Sequence, residues 1–236
     1  PNWIFSGGDD FALARLQDED TLFEIRQQVE EEEGLKLGWD KTVISSVRKE
    51  RNKVFEGKNL SEIAEITGKD PFTAAIDLLI DEDLSVQVVR FIMCEDDVTF
   101  VLGSHLSCIG TDASSRAPYG ILGMGKPHPR AYGTFPRILA KYVRDMGVLS
   151  LEEAVRKMTS LPAGRIGLWD RGLIRPGMVA DLVAFDLDEV GDTATYTDPH
   201  RYPNGIIWVI VCGEPVVEQG EHTGLLRGKV LRSNSR

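Results

Sequence analysis

Apolar residues recur with helical spacing through the first third of the chain. Phe11, Leu13, Leu16, Leu22, Phe23, Ile25 and Val29 follow Asp9 and Asp10, which can cap a helix, and the segment runs through Glu30 to Glu33 into Gly34. A negative last turn opposes the helix dipole, so this end is expected to be a solvated face rather than a cation site. Trp39 to Val47 reads as a strand, with Val43 and Ile44 apolar and Ser45-Ser46 at its end. Asn59 or Ser61 starts one helix, and Asp70-Pro71, a cap with proline at the first helical position, starts another through Ile76, Leu78, Leu79 and Ile80.

From Val86 onward the pattern alternates. Val86 to Met93 is β-rich, Glu95 to Leu102 helical, and Leu106 to Gly110 a short apolar strand that ends near Asp112. A long loop runs from 113 to 133, Thr134 to Met146 makes a helix, and Ser150-Leu151-Glu152-Glu153 is a capping box with Ala154, Val155 and Met158 on the inner face. This alternation predicts parallel βα units. After Arg175-Pro176-Gly177 the chain reads as β: Ala180 to Asp186, Ile206 to Cys212, a Gly213-Glu214 turn and Pro215 to Glu218. The expected fold class is α/β, with a partial α/β barrel over 1–170 and a small β module over 171–236. No internal repeat or low-complexity tract interrupts it.

Composition narrows the partners. With 37 acidic against 27 basic residues the net charge is −10, which argues against nucleic acid or an anionic membrane surface. The longest apolar run, Ile206 to Cys212, is seven residues, short of the roughly 20 that span a bilayer. Cys94, Cys108 and Cys212 are odd in number, lack CxxC spacing and lie in apolar contexts, so buried thiols of a reducing, cytoplasmic protein are expected. The chain opens on Pro1-Asn2-Trp3-Ile4, which reads as a processed or truncated start with no secretion signal.

Asp112 is the strongest candidate for chemistry. A carboxylate after a short strand is where a barrel presents reactive groups, and Gly110 beside it would permit close approach. Asp112 could ligate a divalent cation and move the proton of an activated water, or it could cap a turn through Ala113-Ser114-Ser115. Arg130, between Pro129 and Pro136, could be held for bidentate capture of a carboxylate or could form a surface salt bridge. His105, His128, His200 and His222 are each isolated, which favours hydrogen bonding over metal ligation. Ser45-Ser46 and Ser114-Ser115 lack a nucleophile elbow, Gly120 to Gly125 fits no phosphate-binding loop, and Met93 and Met124 read as packing residues.

Taken together, the Asp112 segment, Pro127-His128-Pro129-Arg130, Gly133-Thr134-Phe135-Pro136-Arg137, Tyr142-Val143-Arg144, Lys157-Met158-Thr159-Ser160-Leu161-Pro162-Ala163 and Ala180-Asp181-Leu182-Val183 resemble the N-acyl-D-amino-acid deacylases of the amidohydrolase superfamily. The similarity is dense from Asp112 to Asp186, and the chain resembles the C-terminal half of such an enzyme. The resemblance implies a zinc-dependent (β/α)8 barrel with a small β-sandwich. Asp112 would be the general base and a metal ligand, Arg130 would hold the substrate carboxylate, and Met93 would line the side-chain pocket. It further implies hydrolysis of the amide of N-acyl-D-amino acids, with a partner in the missing N-terminal half or in self-association. Two departures qualify it. Thr111-Asp112-Ala113 stands where the family has Ser-Asp-Gly, and the family's His-x-His pair, zinc-binding Cys and later histidine ligands have no counterpart here. A cyclic-amide hydrolase of the hydantoinase or dihydroorotase kind, or a non-catalytic module that kept the fold, are the competing expectations.

Overall fold

The computed structural model describes residues 1–31 and 38–232. The far end of the acidic run and Gly34 lie outside the described residues. The chain divides into two compact units, Pro1–Ile92 with Tyr119–His128 and Met93–Pro118 with Pro129–Arg236.

In the first unit the expected leading helix is two. Asp18 takes up an extended backbone and its carboxylate accepts from the Thr21 amide and hydroxyl, which ends α1 (Asp9–Gln17) and caps α2 (Glu19–Glu31). A short 3₁₀ turn over Trp39–Lys41 precedes β1 (Thr42–Ser46). Asn59 then caps α3 (Leu60–Thr67) in a full capping box with Glu62. Asp70 caps α4 (Pro71–Asp81) by accepting from Thr73, with Pro71 at the first position. β2 (Gln87–Arg90) pairs antiparallel with β1, Val43 opposite Val89. The parallel units expected from Val86 onward are absent: all described strand pairs are antiparallel. The chain returns to the end of β1 it left, Ser46 standing opposite Gln87.

Two apolar clusters hold this unit. One gathers Ile44, Leu60, Ile63, Ala74 and Leu78, and the other Ile4, Leu16, Ile25, Phe72 and Ile76, with Trp39 packed against both. Beyond α4 the Glu82 side chain is fully buried and accepts from the Arg48 and Lys49 backbone amides and from the Asn52 side-chain amide. Ser45 is also buried and donates to the Lys126 carbonyl at 2.7 Å, a structural task for a hydroxyl at a strand end.

The second unit begins with α5 (Glu95–Gly103). The strand expected over Leu106 to Gly110 does not form, and the chain from 104 to 129 is irregular apart from a 3₁₀ turn over Gly120–Gly123. No described strand flanks this segment to complete a ladder. The carbonyls of Ser104 and Ser107 accept from the Lys157 ammonium instead. α6 (Arg130–Arg137) then runs directly into a π-helix, Ile138–Asp145. Pro136 within α6 has no amide to donate, which frees an acceptor one turn back and loosens the winding at the point where the wider helix starts.

Ser150 caps α7 (Leu151–Met158), but the expected box is only half closed, because the Glu153 carboxylate pairs with Arg156. Ala154 is buried and Met158 packs inward with Ile138, Tyr142 and Leu149, whereas Val155 faces solvent, contrary to expectation. α8 (Ser160–Arg165) follows. An antiparallel meander closes the unit: β3 (Leu182–Phe185), β4 (Ile206–Val211), β5 (Glu214–Glu218) and β6 (Glu221–His222). The β4–β5 turn sits one residue earlier than expected, on Cys212 and Gly213, both with positive φ (53° and 82°), the geometry of a tight hairpin whose twist matches its strands.

All three cysteines are free, and Cys94 and Cys108 are exposed rather than buried, since the segments that carry them lack a covering layer among the described residues. No helix among the described residues is long and apolar enough to cross a membrane.

Candidate active site

The two residues singled out for chemistry meet. Arg130 Nη2 lies 2.8 Å from Asp112 Oδ2, with Asp112 88% exposed and Arg130 43%. Asp112 stands on the irregular segment after Ile109 with φ of 46°, a left-handed conformation that Asp and Asn tolerate better than other side chains do. Gly110 is not required by crowding, because an added Cβ would meet no described atom within 4 Å. Arg130 is the first residue of α6. The Pro129 carbonyl accepts from the Tyr132 and Gly133 amides, and the Thr134 hydroxyl donates to the Arg130 carbonyl, so the helix start that carries the guanidinium is bonded on both sides.

Long-range contacts fix α6 in place. The Tyr132 hydroxyl and His200 Nδ1 share a hydrogen bond of 2.9 Å, and the Tyr132 ring stands edge-on to both His200 and Tyr202. Burial pushes the Tyr132 phenol above its ordinary pKa, Tyr202 adds to the shift and Arg116 opposes it. Arg137 pairs with Asp192 at 3.1 Å. A Cβ on Gly133 would come within 2.7 Å of the Asp192 Cβ, so glycine is what lets the helix lie against that segment. Farther along, Arg144 donates to the carbonyls of Leu187, Asp188 and Val190. His200 thus takes the hydrogen-bonding role expected of it, but its partner Tyr132 could not be read from the sequence, because the pairing is long-range.

Met93, the other candidate, lies between β2 and α5 and is 74% exposed. No group of three or more His, Cys, Asp or Glu that could hold a metal occurs among the described residues. A catalytic zinc takes about three protein ligands, so the described residues do not fit one by themselves.

An exposed carboxylate on the irregular segment and a guanidinium at the head of α6 thus stand together. The chain belongs to the amidohydrolase family, whose model matches residues 9–217. It is 40% identical over 175 residues to the D-aminoacylase of Alcaligenes xylosoxydans xylosoxydans, covering 74% of this chain and 34% of that protein. A structure of D-aminoacylase concerned with its binuclear metal center superposes with a TM-score of 0.70 at 38% identity, over 81% of this chain and 37% of the other. The N-acyl-D-glutamate deacylase of Bordetella bronchiseptica, complexed with zinc and a phosphonate mimic of the tetrahedral intermediate, gives 0.67 at 32% identity, over 86% and 39%. The chain thus spans about a third of the length of the curated relative it matches.

Proposed function

We propose that this chain is part of a longer zinc-dependent enzyme that hydrolyses the amide bond of N-acyl-D-amino acids. In that protein its 1–170 part contributes to a (β/α)8 barrel and its 171–236 part to a small β-sandwich. The observation that carries the reading is the 2.8 Å approach of Asp112 and Arg130. In an N-acyl amino acid the carboxylate and the amide nitrogen hang from the same carbon, so a group that binds one and a group that protonates the other must stand side by side.

The substrate carboxylate takes the place at Arg130 that Asp112 holds here, which releases Asp112 to act. Asp112 accepts a proton as water adds to the acyl carbonyl, then returns it to the amide nitrogen as the C–N bond breaks, giving a free carboxylic acid and a free D-amino acid. Met93 lines the pocket for the amino-acid side chain. Zinc is the metal of the related deacylase, and here Asp112 is the one ligand this chain would offer; the others come from the rest of the longer protein, so no step is assigned to the metal.

The reading is tested with the longer protein and a panel of N-acetyl-D-amino acids, their L-enantiomers and a hydantoin. Turnover of the D-compounds alone is expected, and turnover restricted to the cyclic amide would overturn the proposal. Arg130→Lys should act mainly on kcat/KM, because lysine keeps the charge but loses the bidentate fork, at a cost of about 1.5–3 kcal/mol, the worth of a hydrogen bond to a charged group. A substrate whose carboxylate is replaced by a carboxamide should be poor to begin with and lose little more in the variant. Equal losses on acid and amide substrates would make Arg130 a support for the loop.

A further inference from the structure

Lys157 is fully buried, although it is a lysine in the last turn of α7. Its ammonium donates to the Ser107 hydroxyl at 2.9 Å, to the Ser107 carbonyl at 3.2 Å and, more closely still, to the Ser104 carbonyl. The nearest carboxylate, that of Glu153, is 3.9 Å away and is already engaged through both oxygens by Arg156. The lysine is therefore held mainly by neutral oxygens of one turn, with Glu153 only a distant ion-pair partner. Burying an ammonium is costly, and a side chain that only filled this space would be methionine or leucine.

The turn it holds is the one that leads to Asp112. The Ser107 hydroxyl donates back to the carbonyls of Val101 and Ser104, the Ile109 amide donates to the Lys157 carbonyl at 3.1 Å, and Ile109 packs against the cluster of Ile138, Tyr142, Leu149 and Ala154. Main chain and side chain of one residue thus fasten the segment from 104 to 109, and Asp112 follows within three residues. We propose that Lys157 is a positioning residue for Asp112: its buried ammonium sets the path of the irregular segment that aims the carboxylate, without touching the reacting atoms. This rests on the reading of Asp112 as the proton acceptor.

The test uses the longer protein. Lys157→Met keeps the length of the side chain and removes its donors. It should lower kcat about 100-fold, the scale of a 1 Å misplacement of a catalytic group, with KM changed less than about threefold. Amide hydrogen exchange over 105–112 should accelerate at least about tenfold while that of β4 and β5 stays as it was. On an Asp112→Asn background the same change should cost less than about a further twofold, because the group it aims is already disabled. Unchanged kcat, full multiplication of the two losses, or exchange raised equally across β4 and β5 would each overturn the inference. If Lys157→Met does not fold, Ser107→Ala removes one acceptor more gently and should show the same pattern at about fivefold; unchanged kcat there overturns it too. An active Asp112→Asn enzyme would instead sink the reading of Asp112 and this inference with it, whereas a disabled Asp112→Asn with an undisturbed Lys157→Met sinks this inference alone.

Discussion

Asp112→Asn in the longer enzyme is expected to lower kcat by about 10²–10⁴-fold, the contribution typical of a positioned general acid–base group. The substitution suits this position. Asp112 has a φ of 46°, which asparagine tolerates about as well as aspartate, whereas alanine or a β-branched residue would add backbone strain to any chemical effect. The amide oxygen can still accept from Arg130, so the 2.8 Å contact retains an acceptor while the site loses its proton acceptor. Melting temperature should stay near that of the parent, since the side chain is 88% exposed. Comparison of kcat, KM and melting for parent and variant checks all three. A variant that keeps its turnover would show that Asp112 only caps its turn.

The largest stability effect is expected away from the site, at Glu82. Its fully buried carboxylate collects the Arg48 and Lys49 amides and the Asn52 side chain, which fixes the chain after β1 to the end of α4. Glu82→Ala strands these donors and leaves a cavity. Each hydrogen bond to a charged acceptor is worth about 1.5–3 kcal/mol, so a loss of about 3 kcal/mol or more is expected, read as a lower urea midpoint. Burial pushes this carboxyl up, but the Asn52 amide and the two backbone amides together pull it further, leaving its pKa below the ordinary glutamate value. Neighbouring Asp81 is held well below its usual range by the Arg51 guanidinium and by Asn52. A depressed folded pKa stabilises above the unfolded value, about 4.3 for glutamate, and the gain fades as pH falls through the folded one. Acidification from pH 6 to pH 3 should therefore lower the melting temperature of the parent, and less so that of Glu82→Gln, which has no proton to take up. Equal acid sensitivity in both would place the effect elsewhere.

Local signals were well written in the chain. Asn59 with Glu62, Asp70 with Pro71, and the apolar run of β4 each occur within a few residues, and the backbone follows them. Asp112 and Arg130 were legible as residue types in an unusual setting, but their contact across 18 positions was not. What could not be read depends on contacts between distant segments. Lys157 looks like any surface lysine until the serines of the 104–107 turn surround it, and Tyr132 gives no hint of His200. Leu106 to Gly110 carries a strand's composition, but a strand needs a neighbour, and none of the described strands supplies one. The pairing of β1 with β2 likewise joins residues more than 40 positions apart.

The close approach of Gly133 to Asp192 bears on how inactive clones from a random library of the longer protein should be sorted. Any side chain at 133 must push against the Asp192 Cβ, 2.7 Å from where its own first carbon would sit, and so shifts the turn on which Arg130 stands. A screen scored only by lost turnover would rank position 133 beside position 130 and mistake a spacing requirement for a chemical one. Second-site suppressors separate the two: replacing Asp192 by glycine, which removes the Cβ in the way, can restore a clone altered at 133, and it cannot return a guanidinium to a clone that has lost Arg130.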